Sequence, residues 1–159
     1  MTQRRWLKTL LPTVGAAVLG NAFVGRASLD WFQGLRRPPM QLPMWGFYTL
    51  GVINYPLMGV VLHRAVRSGD TRAYRLAVAV LACGELWNGV FFGRRSARAG
   101  FAGVLAFTVP LGLLQAAVAH DRVSALVLAP YTAWVVGYDV PWTYQLWQLN
   151  PTPPSALES

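Results

Sequence analysis

Two carboxylates stand almost alone in long apolar stretches of this chain. Glu85 is the only charged residue from Leu76 to Gly93, and Asp139 is the only ionised side chain from Val123 to Leu157. An acid in such surroundings is satisfied by a neighbour, or held ready for a ligand or a proton. Asn88 follows Glu85 by three residues, so on a helix its amide reaches the carboxylate. Mutual satisfaction is the expected reading, with a polar handle for a ligand and a proton relay as alternatives. Asp139 falls in Tyr138-Asp139-Val140-Pro141, where the proline ring deprives the Gly137 carbonyl of its helical donor and can kink the helix. A place near a water boundary would make Asp139 ordinary.

Tyr131, Trp134, Tyr138 and Trp142 recur at i, i+3, i+7 and i+11, one face of a helix that stays regular past Pro141. Such a stripe makes a flat π-rich wall for a planar apolar ligand, or else serves helix packing and an interfacial belt. Arg36 and Arg37 carry planar forks that pair with carboxylates through two hydrogen bonds. Contact with lipid phosphate is the competing role, and it covers Arg94, Arg95 and Arg98 as well. His63 and His120 close two apolar runs without an evident partner; solvation is expected, with ligation of haem iron as the alternative. No His-Glu-x-x-His pattern, paired cysteines or Gly-rich phosphate loop is present, and no Ser-His-Asp or Cys-His set can be placed. The chain does not read as an ordinary hydrolase or transferase, and no metal site or catalytic residue is expected.

The elements that must carry these side chains follow from hydropathy. Of 159 residues, 54% are hydrophobic and only 13% charged, against about 25% charged in soluble domains. Residues 9–25 and 38–63 contain no charge, 76–93 contains Glu85 alone, 99–119 contains none, and the apolar part of the last run covers about 123–146. Each is close to the roughly 20 residues that cross a bilayer as a helix. Strict alternation over ten-residue segments, which a membrane barrel needs, is absent. The expected fold is therefore all-α: an integral, multi-pass membrane bundle of five transmembrane helices with a long first loop. Residues 1–149 form its single domain, and 150–159, with three prolines, a frayed tail. Fourteen Lys and Arg against six Asp and Glu give a net charge of +8, but these cations punctuate the apolar runs, so no nucleic acid is expected as a partner. The single Cys83 excludes an internal disulfide.

Arg4, Arg5 and Lys8 before an apolar run, with Gly25-Arg26-Ala27 after it, resemble a signal peptide; the length of the run and the four later spans favour an uncleaved first helix. Eight Lys and Arg on one face against six on the other leave the orientation open. Ser68 or Asp70 is expected to cap the helix that follows. In the first loop, about 26–44, Leu29, Phe32 and Leu35 share a helical face, which predicts a short interfacial helix ended by Pro38 and Pro39. That segment is either an anchor or a lid over the open end of the bundle. Ala16 with Gly20, Gly89 with Gly93 and Ala99 with Gly103 are spaced for close helix contact, within the bundle or between copies.

Together, Trp31, Leu35, Arg37-Pro38, Pro43, Trp45, Phe47, Tyr55 and Met58-Gly59 resemble the signature around the first loop and second helix of the TspO/MBR family. These are the tryptophan-rich sensory proteins, whose mitochondrial members are the translocator protein. Leu86-Trp87 with Phe91-Phe92-Gly93 is similar to the end of the family's third helix, Pro130-Tyr131 with Trp134 to its fifth-helix motif, and Trp147 with Leu149-Asn150 to its close. The resemblance implies five helices around a cavity beneath the first loop. That cavity would bind, and transport or sense, porphyrin, haem or another planar lipophile such as a sterol, as ligand and not as obligatory cofactor. The ring would lie against Tyr131 and Trp134 with Tyr138 beside them. Trp45 and Tyr55 would approach from the second helix and Trp87 and Asn88 from the third. Trp31, Pro38 and Pro43 belong to the loop, where Arg36 and Arg37 would meet carboxylates. Membrane lipid is the other expected partner, and a homodimer is compatible with the resemblance.

The departures from the family pattern are specific. The family usually has tryptophan at Met40 and Gly51, proline at Leu42, Tyr48 and Gly89, and asparagine at Gly84. This chain also carries one extra residue between Pro130 and Asn150. Gly51 removes one of two cavity tryptophans associated with the family's porphyrin chemistry, while Trp134 keeps the other. This weighs against the alternative of a porphyrin-modifying enzyme with Trp134 or a tyrosine as redox partner. A structural or interaction membrane protein without a small ligand is the remaining alternative.

Overall fold

Apolar runs become helices because lipid offers no partner for an unpaired backbone group. The computed structural model describes the backbone of residues 2–22 and 24–151, and the side chains of 6–19, 22 and 24–151. In order, these form α1 (Thr2–Ala22), α2 (Arg26–Gly34), α3 (Met44–Ser68) and α4 (Thr71–Asn88), which runs on through a π turn at Gly89–Gly93. Then follow α5 (Ala97–Ala117) and α6 (Arg122–Trp134), joined to α7 (Val140–Leu149) by a second π turn, Val135–Asp139. Among the described residues, four continuous helices are long and apolar enough to cross a bilayer: Met44–Ser68, Thr71–Gly93, Ala97–Ala117 and Arg122–Leu149. The fifth, α1, has a shorter apolar stretch, Trp6–Leu19, and packs alongside α3 and α4. The protein is thus an all-helical, multi-pass integral membrane bundle. The expected tail lies outside the described residues from 152 onward, and Gly20 is described by its backbone alone.

The connections are short and chemically marked. Gly69 takes φ +75 to end α3, a left-handed conformation that costs glycine little. Asp70, rather than Ser68, caps α4 by accepting from the Ala73 N–H at 2.9 Å. Ser96 does the same for α5 through the Ala99 N–H at 3.2 Å.

Two packed clusters fill the bundle. The first joins Met58 and Leu62 of α3, Ala77 and Val80 of α4, Leu111 and Leu114 of α5, and Leu128 of α6. The second lies under the first loop and gathers Phe32, Leu35, Phe91, Ala97, Trp142 and Leu146. In lipid the apolar surface alone gives helices little reason to associate, so close packing carries the contact. A methyl group at Gly100 would drive into the Phe91 ring, and one at Gly103 would meet Trp87 Cδ1 at 3.0 Å. Ala16 is likewise buried within the chain. Ala16, Gly100 and Gly103 serve packing inside the bundle, whereas Gly93 is exposed with nothing within 4 Å of its Cβ position; Leu11, Val14 and Val18 of α1, Val52 of α3 and Leu126 of α6 face outward.

The short helix expected in the first loop is α2. It packs on the π turn of Gly89–Gly93, burying Phe32 and Leu35. It ends at Gly34, ahead of Pro38 and Pro39, with the Leu35 N–H bonded to the Phe32 carbonyl at 3.3 Å.

Candidate functional site

Glu85 is 8% exposed and holds two donors. The Asn88 amide reaches its Oε2 at 3.2 Å, as the three-residue spacing implied, and the Tyr55 hydroxyl reaches Oε1 at 2.8 Å from α3. Tyr131 lies within electrostatic range of Glu85, Tyr55 and Asp139, so these polar groups share one interior neighbourhood. Asp139 sits inside the span with Trp134 as its side-chain neighbour, and its carbonyl accepts from the Thr143 hydroxyl at 2.6 Å.

The aromatic wall is built differently from a regular stripe. Tyr131 packs edge-on to Phe107, 6.3 Å between centroids, against the first cluster. Trp134 stacks on Tyr138 at 4.1 Å and 27°, and Tyr138 is nearly parallel to Trp142 at 6.3 Å and 6°. The helix loses regularity before Pro141, in the π turn Val135–Asp139. One added residue is what a π turn absorbs without unpairing the helix on either side. Downstream, Tyr138 and Trp142 meet Phe47, at 6.3 and 5.0 Å.

The first loop is fastened over this wall. The Tyr138 hydroxyl donates to the Met40 carbonyl and accepts from the Leu42 N–H, each at 3.0 Å. Asn150, expected to begin the frayed tail, instead accepts from the Arg36 N–H and donates to the Arg36 carbonyl, both at 3.0 Å. Its amide also reaches the Leu146 carbonyl at 2.8 Å. Arg36 therefore engages the bundle through its backbone, and the side chains of Arg36 and Arg37 are exposed. Pro38 is buried beneath the loop, and Pro43 precedes α3 with extended geometry, φ −63 and ψ 152.

Two tryptophans expected to approach the ligand from the second and third helices stand apart from this wall. Trp45 is 71% exposed, because it heads an outward row with Thr49, Val52 and Pro56 at helical spacing. Trp87 lies flat on Phe91 at 5.0 Å and gives its indole N–H to the Gly100 carbonyl at 2.8 Å, a packing role. Trp31 meets Phe91 edge-on at 5.3 Å. Among the described residues, the indole N–H groups of Trp31 and Trp142 and the Gln41 side-chain oxygen are buried without a partner, all three at this end of the bundle. Trp142 belongs to the aromatic stripe that the spacing marked as a wall, whereas Phe47 and Asn150 entered only as parts of the family resemblance and were not expected to touch the site; their partners lie about a hundred residues away in the chain.

Gly51 stands seven and eleven residues before Met58 and Leu62, hence on the face those residues bury completely. Yet Gly51 is exposed, and nothing lies within 4 Å of where a Cβ would stand. This face of α3 is open at Gly51, between Phe47, which meets Tyr138 and Trp142, and Tyr55, which bonds Glu85.

At the opposite end, a cleft of about 490 Å³ lies between the α3–α4 and α5–α6 turns. There Arg64 closes a two-pronged pair on Asp121, at 2.6 and 2.7 Å, and Ser124 adds a third bond at 2.7 Å. Those donors, Arg64 first, hold the Asp121 carboxyl well below the usual carboxylate range. His120 Nε2 lies 3.6 Å from the Asp70 carboxylate, so it has a partner the sequence did not suggest. His63 stacks against Trp6 at 5.1 Å. No group of three or more metal-ligating side chains occurs among the described residues.

With five helices, a fastened first loop and an aromatic wall in place, the comparison with known proteins is direct. The family model for TspO/MBR matches residues 9–148. The chain belongs to the TspO/MBR family. It is 26% identical to the tryptophan-rich protein TspO of Archaeoglobus fulgidus over 131 residues, 80% of this chain and 86% of the relative. It is 29% identical to the human translocator protein over 151 residues, covering 89% and 87%, and 25% identical to the TspO of Chlorobaculum tepidum over 138 residues, covering 83% and 87%.

Proposed function

We propose that this TspO/MBR protein binds a planar lipophilic ligand, a porphyrin, haem or a sterol-like molecule, against Tyr131, Trp134 and Tyr138 beneath the first loop. The observation that carries this reading is the stacked Trp134–Tyr138 pair lying under a loop that is tied to it. A flat ring gains most on such a surface, where area and quadrupole geometry add. The unanswered indole N–H groups of Trp31 and Trp142 support a ligand with acceptor groups at this end. Tyr55, Glu85 and Asn88 give the same interior a polar floor. The exposed guanidinium groups of Arg36 and Arg37 suit carboxylates at the rim. Trp45 and Trp87 are not part of the wall in this reading.

Whether the ligand is carried or sensed depends on its release, and a homodimer would use surfaces other than those around Ala16 and Gly103. The test is a titration of purified protein with protoporphyrin IX and haem, following Trp quenching and ligand absorption, in the wild type and in Trp134→Ala. Saturable binding weakened by the substitution supports the wall. Saturable binding with unchanged affinity places the ligand elsewhere, and no saturable binding rejects the reading.

A further inference from the structure

The first loop is held at two points, and the two differ in kind. The Asn150 clasp on the Arg36 backbone uses groups that take no part in the wall. Tyr138 gives its hydroxyl to the loop, at Met40 and Leu42, and its ring to Trp134. A phenol is rigid, so the ring cannot leave Trp134 without drawing the hydroxyl from the loop. The double role depends on the π turn Val135–Asp139. One residue fewer there would rotate Tyr138 about 100° around the helix, away from one of its two contacts.

We propose that Tyr138 is the positioning residue through which a planar ligand controls the first loop: a ring that stacks on Trp134 takes the place of the Tyr138 phenol, and the hydroxyl releases Met40 and Leu42. The inference rests on the reading that the wall takes such a ligand; the ring then lies on Trp134 in place of Tyr138 and not across the stacked pair, and the reading is deepened in two ways. It restricts the ligand to flat ring systems able to replace a phenol on an indole face. It also separates the two arginines. Arg36 stays tethered by Asn150, whereas Arg37 lies in the freed segment, which swings between that tether and the start of α3. Arg37 is then the cation that follows the ligand's carboxylates, and loop release is the event that reports occupancy.

The experiment is hydrogen–deuterium exchange on the full chain in lipid nanodiscs, with and without saturating protoporphyrin IX, in the wild type and in Tyr138→Phe. The Leu42 amide is the reporter, since its N–H bonds the Tyr138 hydroxyl. In the wild type, porphyrin should speed exchange at 40–42 about fivefold, the order expected for one lost hydrogen bond. In Tyr138→Phe the ring remains and the hydroxyl is gone. Exchange should be fast before ligand is added, porphyrin should change it little, and porphyrin should bind several-fold more tightly. A purely structural role predicts the reverse, weaker binding in the variant. Wild-type protein that binds porphyrin with unchanged exchange at 40–42 overturns the latch and leaves the binding function standing. Absence of saturable binding overturns both. If Tyr138→Phe does not fold, the wild-type comparison decides alone.

Discussion

Tyr74, on α4, donates its hydroxyl to the carbonyl of Lys8 on α1, 3.2 Å away. That carbonyl lies four residues before Pro12, which has no N–H to give it. A proline inside the shortest apolar helix is thereby satisfied from a neighbouring element, which is the condition for tolerating proline in lipid. The bond also ties the first helix to α4.

Tyr74→Phe should lower stability by about 1 kcal/mol, the net value of one such bond. In a Pro12→Ala background the same substitution should cost much less, because the new Ala N–H supplies the Lys8 carbonyl. Thermal unfolding of the four proteins in detergent gives the coupling. Equal losses in both backgrounds would show that the tyrosine does not serve the proline's missing donor.

Asp121 predicts an acid limb of stability. Its folded carboxyl is held below the ordinary 3.8 by Arg64 and Ser124, so between the two values the unfolded chain binds the extra proton. Its contribution is therefore complete above about pH 5 and is lost as pH falls through the ordinary value toward the depressed folded one. Melting temperature measured downward from pH 5 should fall less steeply in Asp121→Asn than in the wild type, and the neutral-pH melting temperature of the variant should be lower. Parallel pH profiles would remove Asp121 from the account.

Helix number and the loop-one helix were legible because each rests on a long or repeated signal: uncharged runs such as 38–63, and the apolar face of Leu29, Phe32 and Leu35. The family was legible from fixed residues such as Trp31 and Tyr55. The site was legible only in part. The spacing of Glu85 and Asn88 is local, so it gave their hydrogen bond, while the Tyr55 bond to Glu85 spans 30 residues and no spacing rule reaches it. Trp45 was drawn inward by the resemblance, although the helical row it heads is exposed throughout. The stripe from Tyr131 to Trp142 assumed 3.6 residues per turn, and the π turn changes that count between Trp134 and Tyr138. Asn150 illustrates a further limit, since its partner Arg36 lies 114 residues away.

Gly100 predicts a sharp steric cost. Phe91 is completely buried on the spot where a Gly100 side chain would stand, so Gly100→Ala must push an enclosed ring. The expected loss is about 1–3 kcal/mol, typical of overpacking. Gly103→Ala should cost less, because its Cβ would meet the edge of the half-buried Trp87 at 3.0 Å. Phe91→Leu combined with Gly100→Ala should be more stable than the sum of the two changes implies, since the smaller side chain makes room. Additive losses would mean that the glycine serves the backbone of α5 and not the ring.

Gly51 separates binding from chemistry. Its Cβ position has nothing within 4 Å, on the face that Met58 and Leu62 bury farther along α3. Gly51→Trp should therefore fold with a melting temperature close to that of the wild type while bringing a second indole to that open position on α3. In the wild type, the absorption spectrum of bound protoporphyrin IX should be stable under illumination. A light-dependent loss that appears only in Gly51→Trp would show that the wall and loop suffice to hold the ligand and that the second tryptophan is what reaction requires. The same loss in the wild type would favour the enzyme reading, with Trp134 or a tyrosine acting without that partner. A melting temperature lowered by several degrees in the variant would instead mean that the opening beside Gly51 closes on the folded protein, and that a ligand has to enter elsewhere.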